Sequence, residues 1–412
     1  MSDILVALPT ELDRIGLEKV GKGHRFHWLV DERFGVPLPE AGFDLVEYTE
    51  RCSSYIERHG IDAVFYSHDL ASLVAGVLCT RHALPGPTLE SVFISNHKYY
   101  SRSREPCPIW FDFIDLDTGE WGRGEPRFPC YVKPPTLQFS LLQHAVETPR
   151  ALQDALATIR RELPQWAQMF KRFFARYLDT DKFPLSLRDI VLVEALVPAQ
   201  AEQFVVEGWT GTDGDSHIWA VTDANYYPGP RRAINAYTTP STLAANDLQI
   251  MSDFAIRVAG EHGIVNSFWD VEVWRDEGRL FVTEVNPRMA PLYESLYEHA
   301  YGVSLYDAVM RLSCAQSVGP VPNPASARIG GQFYAVTFGE GIARDFLDFE
   351  WALSQSVPKI NMLVAPDEEI RQTHTSGVWL AAFEFGGTDR RELHRRATAL
   401  RSRLLRQPAW SP

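Results

Sequence analysis

At 412 residues, with 45% hydrophobic and 23% charged side chains, the chain has the composition of an ordinary globular protein and enough apolar material for about two to four compact units. A formal charge of −13 argues against nucleic acid or an anionic membrane as the main partner, while a local basic site could still hold phosphate. The five cysteines are scattered without a C-x-x-C pair, the start carries no cationic segment leading into a long apolar run, and no stretch of roughly 18 apolar residues occurs, which together point to a reduced, cytoplasmic protein.

Ile4 to Leu8 and Ala63 to Tyr66 read as strands. Between Leu70 and Ala83 the apolar residues recur at helical spacing, and Leu84-Pro85-Gly86-Pro87 stops the helix. Strand–helix alternation of this kind predicts an α/β unit on a parallel sheet. Residues 108–129 are acidic, aromatic and turn-rich, and Cys130-Tyr131-Val132-Lys133 follows as a compact strand running into two prolines. Residues 148–175 look helical, and IVLVEALV (190–197) reads as a buried strand. The clearest helix is 241–263, with Leu248, Met251, Ala255 and Val258 on one face and Gly263 where it would stop. In TTPSTL (238–243), Ser241 is either that helix's cap or part of a substrate loop. Phe268 to Trp274 and Leu280 to Val285 are strands joined by the turn-forming residues 275–278. Beyond about residue 325, GGQFYAV and GVWLAAFEF read as strands, and a basic amphipathic helix from Arg390 to Leu405 is expected on the tail's sheet.

The sharpest chemical signal is the hairpin FWDVEVWRDEGRLFVTEVNPR (268–288). Side chains alternate faces along a strand, so Glu284 and Asn286 point the same way. Glu272 joins them if Trp274 opposes Leu280 across a five-residue loop, lying diagonal to Glu284; a four-residue loop would turn it to the opposite face. In the first register two carboxylates and a carboxamide oxygen converge, with Asp270 as a spare, and such hard oxygen ligands suit Mg²⁺. Arg288 follows on the same run and could hold a carboxylate or stabilise charge on a transferred phosphoryl group. A solvent-facing acidic hairpin would explain the acids but not Glu-x-Asn-x-Arg at the end of an apolar strand, where unpaired acids are costly.

Here the sequence resembles the ATP-grasp superfamily, whose metal-binding strands end in Glu-x-Asn-Pro-Arg preceded by a second acid. This chain offers Glu272 and then TEVNPR at 283–288. Other motifs of the family follow in order. LPGPTLESVFISNHKYYSR (84–102) resembles the segment with a first phosphate-contacting lysine, here Lys98, and FPCYVKP (128–134) the lid strand with a second, Lys133. IVLVEALV resembles the hinge strand that holds adenine, implicating Glu194, Ala195 and Val197. EQFVVEGW (202–209) resembles the strand bearing a ribose contact, which falls on Gln203 with Glu202 adjacent. One departure is the glycine-free text PPTLQFSLLQ after Lys133, where many members carry a glycine-rich loop over the phosphates; Thr136 or Ser140 would have to donate there.

The resemblance implies an α/β (α+β) architecture: a Rossmann-like N-terminal domain over 1–110, an ATP-grasp lid over 111–197, a core with the metal site over 198–324, and a small α+β subdomain over 325–412. It implies ATP and Mg²⁺ (or Mn²⁺) as cofactors, with Glu272, Glu284 and Asn286 as metal ligands and Arg288 in catalysis. The activity it implies is that of a carboxylate–amine ligase, similar to L-amino-acid ligases, taking a small carboxylic acid and an amine and forming ADP. A homodimer would fit the family, and no nucleic-acid or membrane partner is expected. The alternatives are an ATP-grasp kinase, a carboxylase-type phosphoryl transfer, and an ATP-binding regulator without turnover. His97 and His144 are expected to be structural or exposed. Trp110, Tyr226, Tyr227 and Tyr293 would suit an apolar or aromatic acid as readily as a packed core.

Overall fold

The apolar run DILVA forms β1 (Asp3–Ala7), and α1 (Glu11–Val20) follows through a capping box, in which Asp13 N–H donates to Thr10 Oγ1 while Thr10 N–H donates to the Asp13 carboxylate. Next come β2 (Arg25–Leu29), α2 (Leu45–His59), which ends on a left-handed Gly60, and β3 (Ala63–Phe65). The three strands make a parallel sheet in the order β2-β1-β3, as alternating strands and helices predict. The next helix, α3 (Asp69–His82), is buried without interruption from Asp69 to Cys79, so it carries no amphipathic stripe. The computed structural model describes residues 1–406 apart from 36–38, 41, 125–126, 139, 229–231, 320–327, 356–359 and 372–376.

Two short helices, α4 (Leu89–Asn96) and α5 (Lys98–Arg104), lead into a four-stranded antiparallel sheet. Its strands are β4 (Phe111–Asp115), β5 (Cys130–Lys133), β6 (His144–Val146) and, after α6 (Pro149–Glu162) and α7 (Pro164–Tyr177), β7 (Ile190–Ala195). Strand β4 lies inside the turn-rich text and is made by its pairing with β7 rather than by local pattern. The helical text of 148–175 forms two helices, because Pro164 has no N–H to continue the first.

The largest layer is an eight-stranded sheet. It contains β8 (Glu202–Thr210), β9 (Ser216–Tyr226) and β10 (Ile234–Thr239), then, after α8 (Ala245–Glu261), β11 (Ser267–Asp276) and β12 (Arg279–Asn286). Helices α9 (Glu294–Tyr301) and α10 (Leu305–Ser313) follow. The tail supplies β13 (Ile329–Thr337), β14 (Gly341–Ile342), α11 (Ala343–Phe346), α12 (Phe349–Ser354), β15 (Ile360–Met362), β16 (Glu369–Ile370), β17 (Val378–Gly387) and α13 (Arg390–Leu404). The sheet order is β12-β11-β8-β9-β10-β13-β17-β15, so three tail strands extend the same layer that carries the hairpin, and β14 and β16 pair separately.

Helix α8 starts at Ala245, four residues after the expected cap. Ser241 is occupied elsewhere: its hydroxyl donates to Asp223, and Thr242 N–H donates to the same carboxylate at 2.9 Å. Met251, Ala255 and Val258 of α8 pack on Phe204, Val206, Val271, Val273, Val282 and Val285, which covers one face of the sheet with apolar contact. The alternating residues of β8, β11 and β12 therefore face the other way, toward the N-terminal half.

The register within the hairpin differs from both expected alternatives. Glu277 and Gly278 have φ of +48° and +83°, a two-residue turn with both central residues left-handed, so Asp276 pairs with Arg279 and Trp274 with Phe281. A bulge then shifts the register between Glu272 and Val273, leaving Thr283 as the extra residue. Glu272 consequently stands directly opposite Glu284, and Asp270 opposite Asn286.

Two stability predictions follow from this packing. A Cβ on Gly330 of β13 would lie 2.1 Å from the Leu296 carbonyl oxygen of α9, so Gly330→Ala should cost about 1–3 kcal/mol and lower the thermal midpoint. An unchanged melting curve would refute the close α9–β13 approach. Buried His262 donates from Nδ1 to Val258 O (2.8 Å) and accepts at Nε2 from Ser101 (3.0 Å), and burial pulls its pKa down to about 4. The unfolded chain takes up a proton near pH 6.5 while the folded one resists until about pH 4, so stability should fall by up to ~3 kcal/mol as pH drops through that window. His262→Gln should flatten that slope in urea titrations at pH 4.5 and 7.

Candidate active site

Across β8, β11 and β12, one sheet face carries Glu207, Asp270, Glu272, Glu284 and Asn286, with Asp270 opposite both Glu207 and Asn286. Asn286 donates from Nδ2 to Asp270 Oδ1 at 2.9 Å, which leaves its amide oxygen available as a ligand. Glu272 Oε2 accepts from Gln203 Nε2 (3.0 Å) and Thr283 Oγ1 (3.2 Å). Glu207 is fully buried and accepts from Ala290 N–H (3.3 Å) and the Tyr297 hydroxyl. Like charges this close resist ionisation. Burial, reinforced by Glu284 and Asp270, pushes Glu272 up to about 8, and burial pushes Asp270 up to about 6 despite Arg288 and Asn286. Glu207 is raised further by burial and the neighbouring Asp270.

The N-terminal half supplies the counter-charges. Lys98, the first residue of α5, reaches Glu284 Oε1 (3.1 Å) and donates to Leu137 O (2.7 Å). Burial alone would raise Glu284, but Lys98 and then Lys133 outweigh it and hold that carboxyl below its ordinary value. Lys133, at the end of β5, lies 2.6 Å from Glu194 Oε1, and Arg102 Nε lies 2.8 Å from Glu194 Oε2. Arg102 is fully buried and also pairs with Glu105 and with the carbonyl of the bulged Thr283, so it covers the outer edge of β12. Burial favours a neutral Glu194, but Arg102 and Lys133 win and keep it ionised. Arg288 turns to the N-terminal sheet, where Nε and Nη2 meet the Asp69 carboxylate at 3.0 and 3.3 Å.

The residues expected from sequence therefore fall into two neighbourhoods. Lys98, Gln203, Glu272, Glu284 and Asn286 gather around β11 and β12. Gln203 shares the face of Glu272, whereas Glu202 lies on the opposite face with Arg275 at 2.7 Å. Ala195 and Val197 sit at the end of β7 in a small apolar cluster with Ile109, Ala201, Trp274 and Phe281, and Ala195 N–H donates to Trp110 O at 2.9 Å. The Glu194 carboxylate is turned away from that cluster to Lys133 and Arg102. The glycine-free loop after Lys133 is tied to Lys98, whose N–H donates to Pro135 O at 2.8 Å; Ser140 and Leu142 take positive φ there, and neighbouring Phe139 lies outside the described residues. His97 is buried and burial pulls its pKa down to about 3, in keeping with a structural place. Tyr293 and Tyr237 pack against each other with ring centroids 5.1 Å apart, inside the core.

Asp69, Arg102, Glu105 and Glu207 were not singled out from sequence. Glu207 had a readable signal, since it lies four residues after Gln203 on one strand face; Arg102 and Asp69 owe their roles to partners distant in the chain.

The donor set fits a hard divalent cation. Among the described residues no three His, Cys, Asp or Glu side chains form a self-sufficient cage. Glu272, Glu284 and the Asn286 amide oxygen instead supply a partial shell that phosphate oxygens and water would complete, the usual habit of Mg²⁺. The raised Glu272 and Asp270 express negative charge that such an ion would relieve. A cavity of about 470 Å³ lies at the β8–β9 end beside α8, lined by Glu202, Phe204, Asp223, Asp247 and Arg275 and reaching Gln203, which bonds Glu272.

Residues 126–294 match the family model described as ATP-grasp domain. Three solved structures similar to the whole chain share this architecture. An L-amino acid ligase from Bacillus licheniformis superposes with a TM-score of 0.77 at 16% identity, covering 99% of each chain. An N5-carboxyaminoimidazole ribonucleotide synthetase from Thermotoga maritima gives 0.64 at 14% identity, over 98% of this chain and 99% of that one. A biotin carboxylase from Campylobacter jejuni gives 0.63 at 12% identity, over 98% and 91%. Among curated protein sequences none matches the chain. Residues 126–294 therefore match an ATP-grasp domain, and the fold shared with these solved structures extends over nearly the whole chain.

Arg102→Met should test the counter-charge network. It leaves buried Glu105 without its ion pair and takes one of two cations from buried Glu194, which keeps Lys133, a loss expected at about 3–5 kcal/mol of unfolding free energy, measurable by urea denaturation. A change below about 1 kcal/mol would mean the buried pair carries little, as exposed pairs do.

Proposed function

We propose that this chain is an ATP-dependent ligase that activates a carboxylate as an acyl phosphate and couples it to an amine, releasing ADP. The observation that carries the reading is the opposed pair Glu272 and Glu284 with Asn286 beside them, faced by Lys98 and by Arg288. Glu272, Glu284 and Asn286 would hold Mg²⁺, which would supply Lewis-acid neutralisation of the β- and γ-phosphate oxygens. Lys98 and Lys133 neutralise the remaining phosphate oxygens of the substrate ATP, and the Ala195–Val197 cluster takes the base.

With the phosphates so held, a substrate carboxylate oxygen attacks the γ-phosphorus in line, the bond to the β-phosphate oxygen breaks and ADP leaves. The amine nitrogen then attacks the acyl carbon, inorganic phosphate departs, and the nitrogen gives up a proton. This chemistry asks for positioning and charge stabilisation more than for a side-chain base. Burial of the site on the sheet face protects the acyl phosphate from water. The reading includes a small acid and a small amine as partners in a cytoplasmic setting. Among the described residues no helix is long and apolar enough to cross a membrane.

The test is ADP and phosphate release from Mg-ATP across a panel of carboxylic and amino acids, singly and in pairs, with hydroxylamine trapping. Release should require an acid, yield a hydroxamate and fall by at least ~10²-fold in Glu284→Gln. ATP binding without acid-dependent release would instead favour the regulator, and hydroxyl-dependent release without hydroxamate the kinase.

A further inference from the structure

We propose that Asp69 is a positioning residue that fixes the Arg288 guanidinium beside the metal strands for phosphoryl transfer; this rests on the ligase reading. The two residues lie 219 positions apart, Asp69 opening α3 beyond the parallel β3 and Arg288 following β12 of the large sheet. Their contact is a fork: Nε and Nη2 of Arg288 donate to the two oxygens of one carboxylate at 3.0 and 3.3 Å. Nη1 donates to Met289 O at 3.2 Å. Of the five N–H donors of a guanidinium, two then remain, one on each terminal nitrogen. The residue follows Asn286 by two positions, with its N–H on Asn286 O at 2.9 Å, and Asn286 itself bonds Asp270 at 2.9 Å, so Arg288 leaves the sheet at the end of the acidic row.

Asp69 stands in the first turn of α3, where a carboxylate suits the helix dipole, but it is not the helix cap. The cap of α3 is His68, whose Nδ1 accepts from Ala71 N–H at 3.4 Å while its Nε2 donates to Leu8 O at 2.8 Å. Among the described residues the Asp69 carboxylate makes its hydrogen bonds with Arg288 alone, and its side chain is only 5% exposed. A carboxylate kept inside the protein for one arginine is explained by what that arginine must do. The arginine's own backbone, with Arg288 N–H donating to Asn286 O at 2.9 Å, seats it directly after the metal strand, but its long side chain needs an outside partner to choose one direction.

The experiment measures steady-state ADP release, with the acid and amine that the panel identifies, for wild type, Asp69→Asn, Asp69→Glu, Arg288→Ala and the double variant D69N/R288A. In Asp69→Asn, kcat should fall on the order of 10²-fold while the KM for Mg-ATP stays within ~3-fold, because the group is misplaced and not removed from nucleotide binding. Asp69→Glu should recover part of the loss. The double variant should be no slower than Arg288→Ala, since Asp69 acts only through that residue. Should Asp69→Asn not fold, Asp69→Ser takes its place in the same comparison. Wild-type kcat in the folded Asp69 variants, or losses that multiply in the double variant, would overturn the inference. A wild-type enzyme with no acid-dependent turnover would sink the ligase reading first, and this inference with it.

Discussion

Everything about the site depends on one costly arrangement, a row of carboxylates buried on the face of a sheet. Glu207, Asp270, Glu272 and Glu284 are carried by three adjacent strands, and burial with mutual repulsion raises three of the four. A fold tolerates such a row only if something answers its charge. On one side the protein answers it directly, with Lys98 on Glu284 and Arg288 near Asp270. On the other it leaves Glu272 raised, with a carboxamide oxygen nearby, a donor set whose natural complement is a cation carrying phosphate.

The positive groups come from outside that sheet. Lys98 and Arg102 project from the short helix α5, Lys133 ends a strand of the four-stranded sheet, and Arg288 pairs with Asp69 at the start of α3. The three layers are thus joined through ionic contacts that converge on the acidic row. Arg102 is the clearest case: a single buried guanidinium ties β7, its own helix and the free edge of β12. Stability and electrostatic preorganisation here draw on the same side chains, so few substitutions can change one and spare the other.

Local pattern was legible where one residue's neighbours in sequence are also its neighbours in space. The strand Cys130–Lys133, the buried stripe of α8 and the Glu284–Asn286 alternation are all short-range periodicities, and each is present as expected. The direct opposition of Glu272 and Glu284 was not, because it comes from a left-handed two-residue turn combined with a bulge, two shifts that periodicity does not encode. Strand β4 was hidden for a related reason, since FDFID becomes a strand through β7, nearly 80 residues later. Side-chain roles followed the same division. The pattern left Gln203 and adjacent Glu202 unseparated until the strand pairing set them on opposite faces, and no spacing rule connects Asp69 to Arg288, or Arg102 to Glu194.

The continuity of the eight-stranded sheet has a consequence for how the protein is made. The strands bearing the acids, β8, β11 and β12, with β9 and β10 beside them, are complete once residue 286 has left the ribosome, but β10 then ends in a row of unpaired backbone groups. Its partner, β13, emerges more than forty residues later, and β17 later still. During that interval the nascent chain carries an open strand edge, the kind of surface that recruits other chains. Synthesis of the tail is therefore the step that pairs this edge and closes a surface on which chains could otherwise associate.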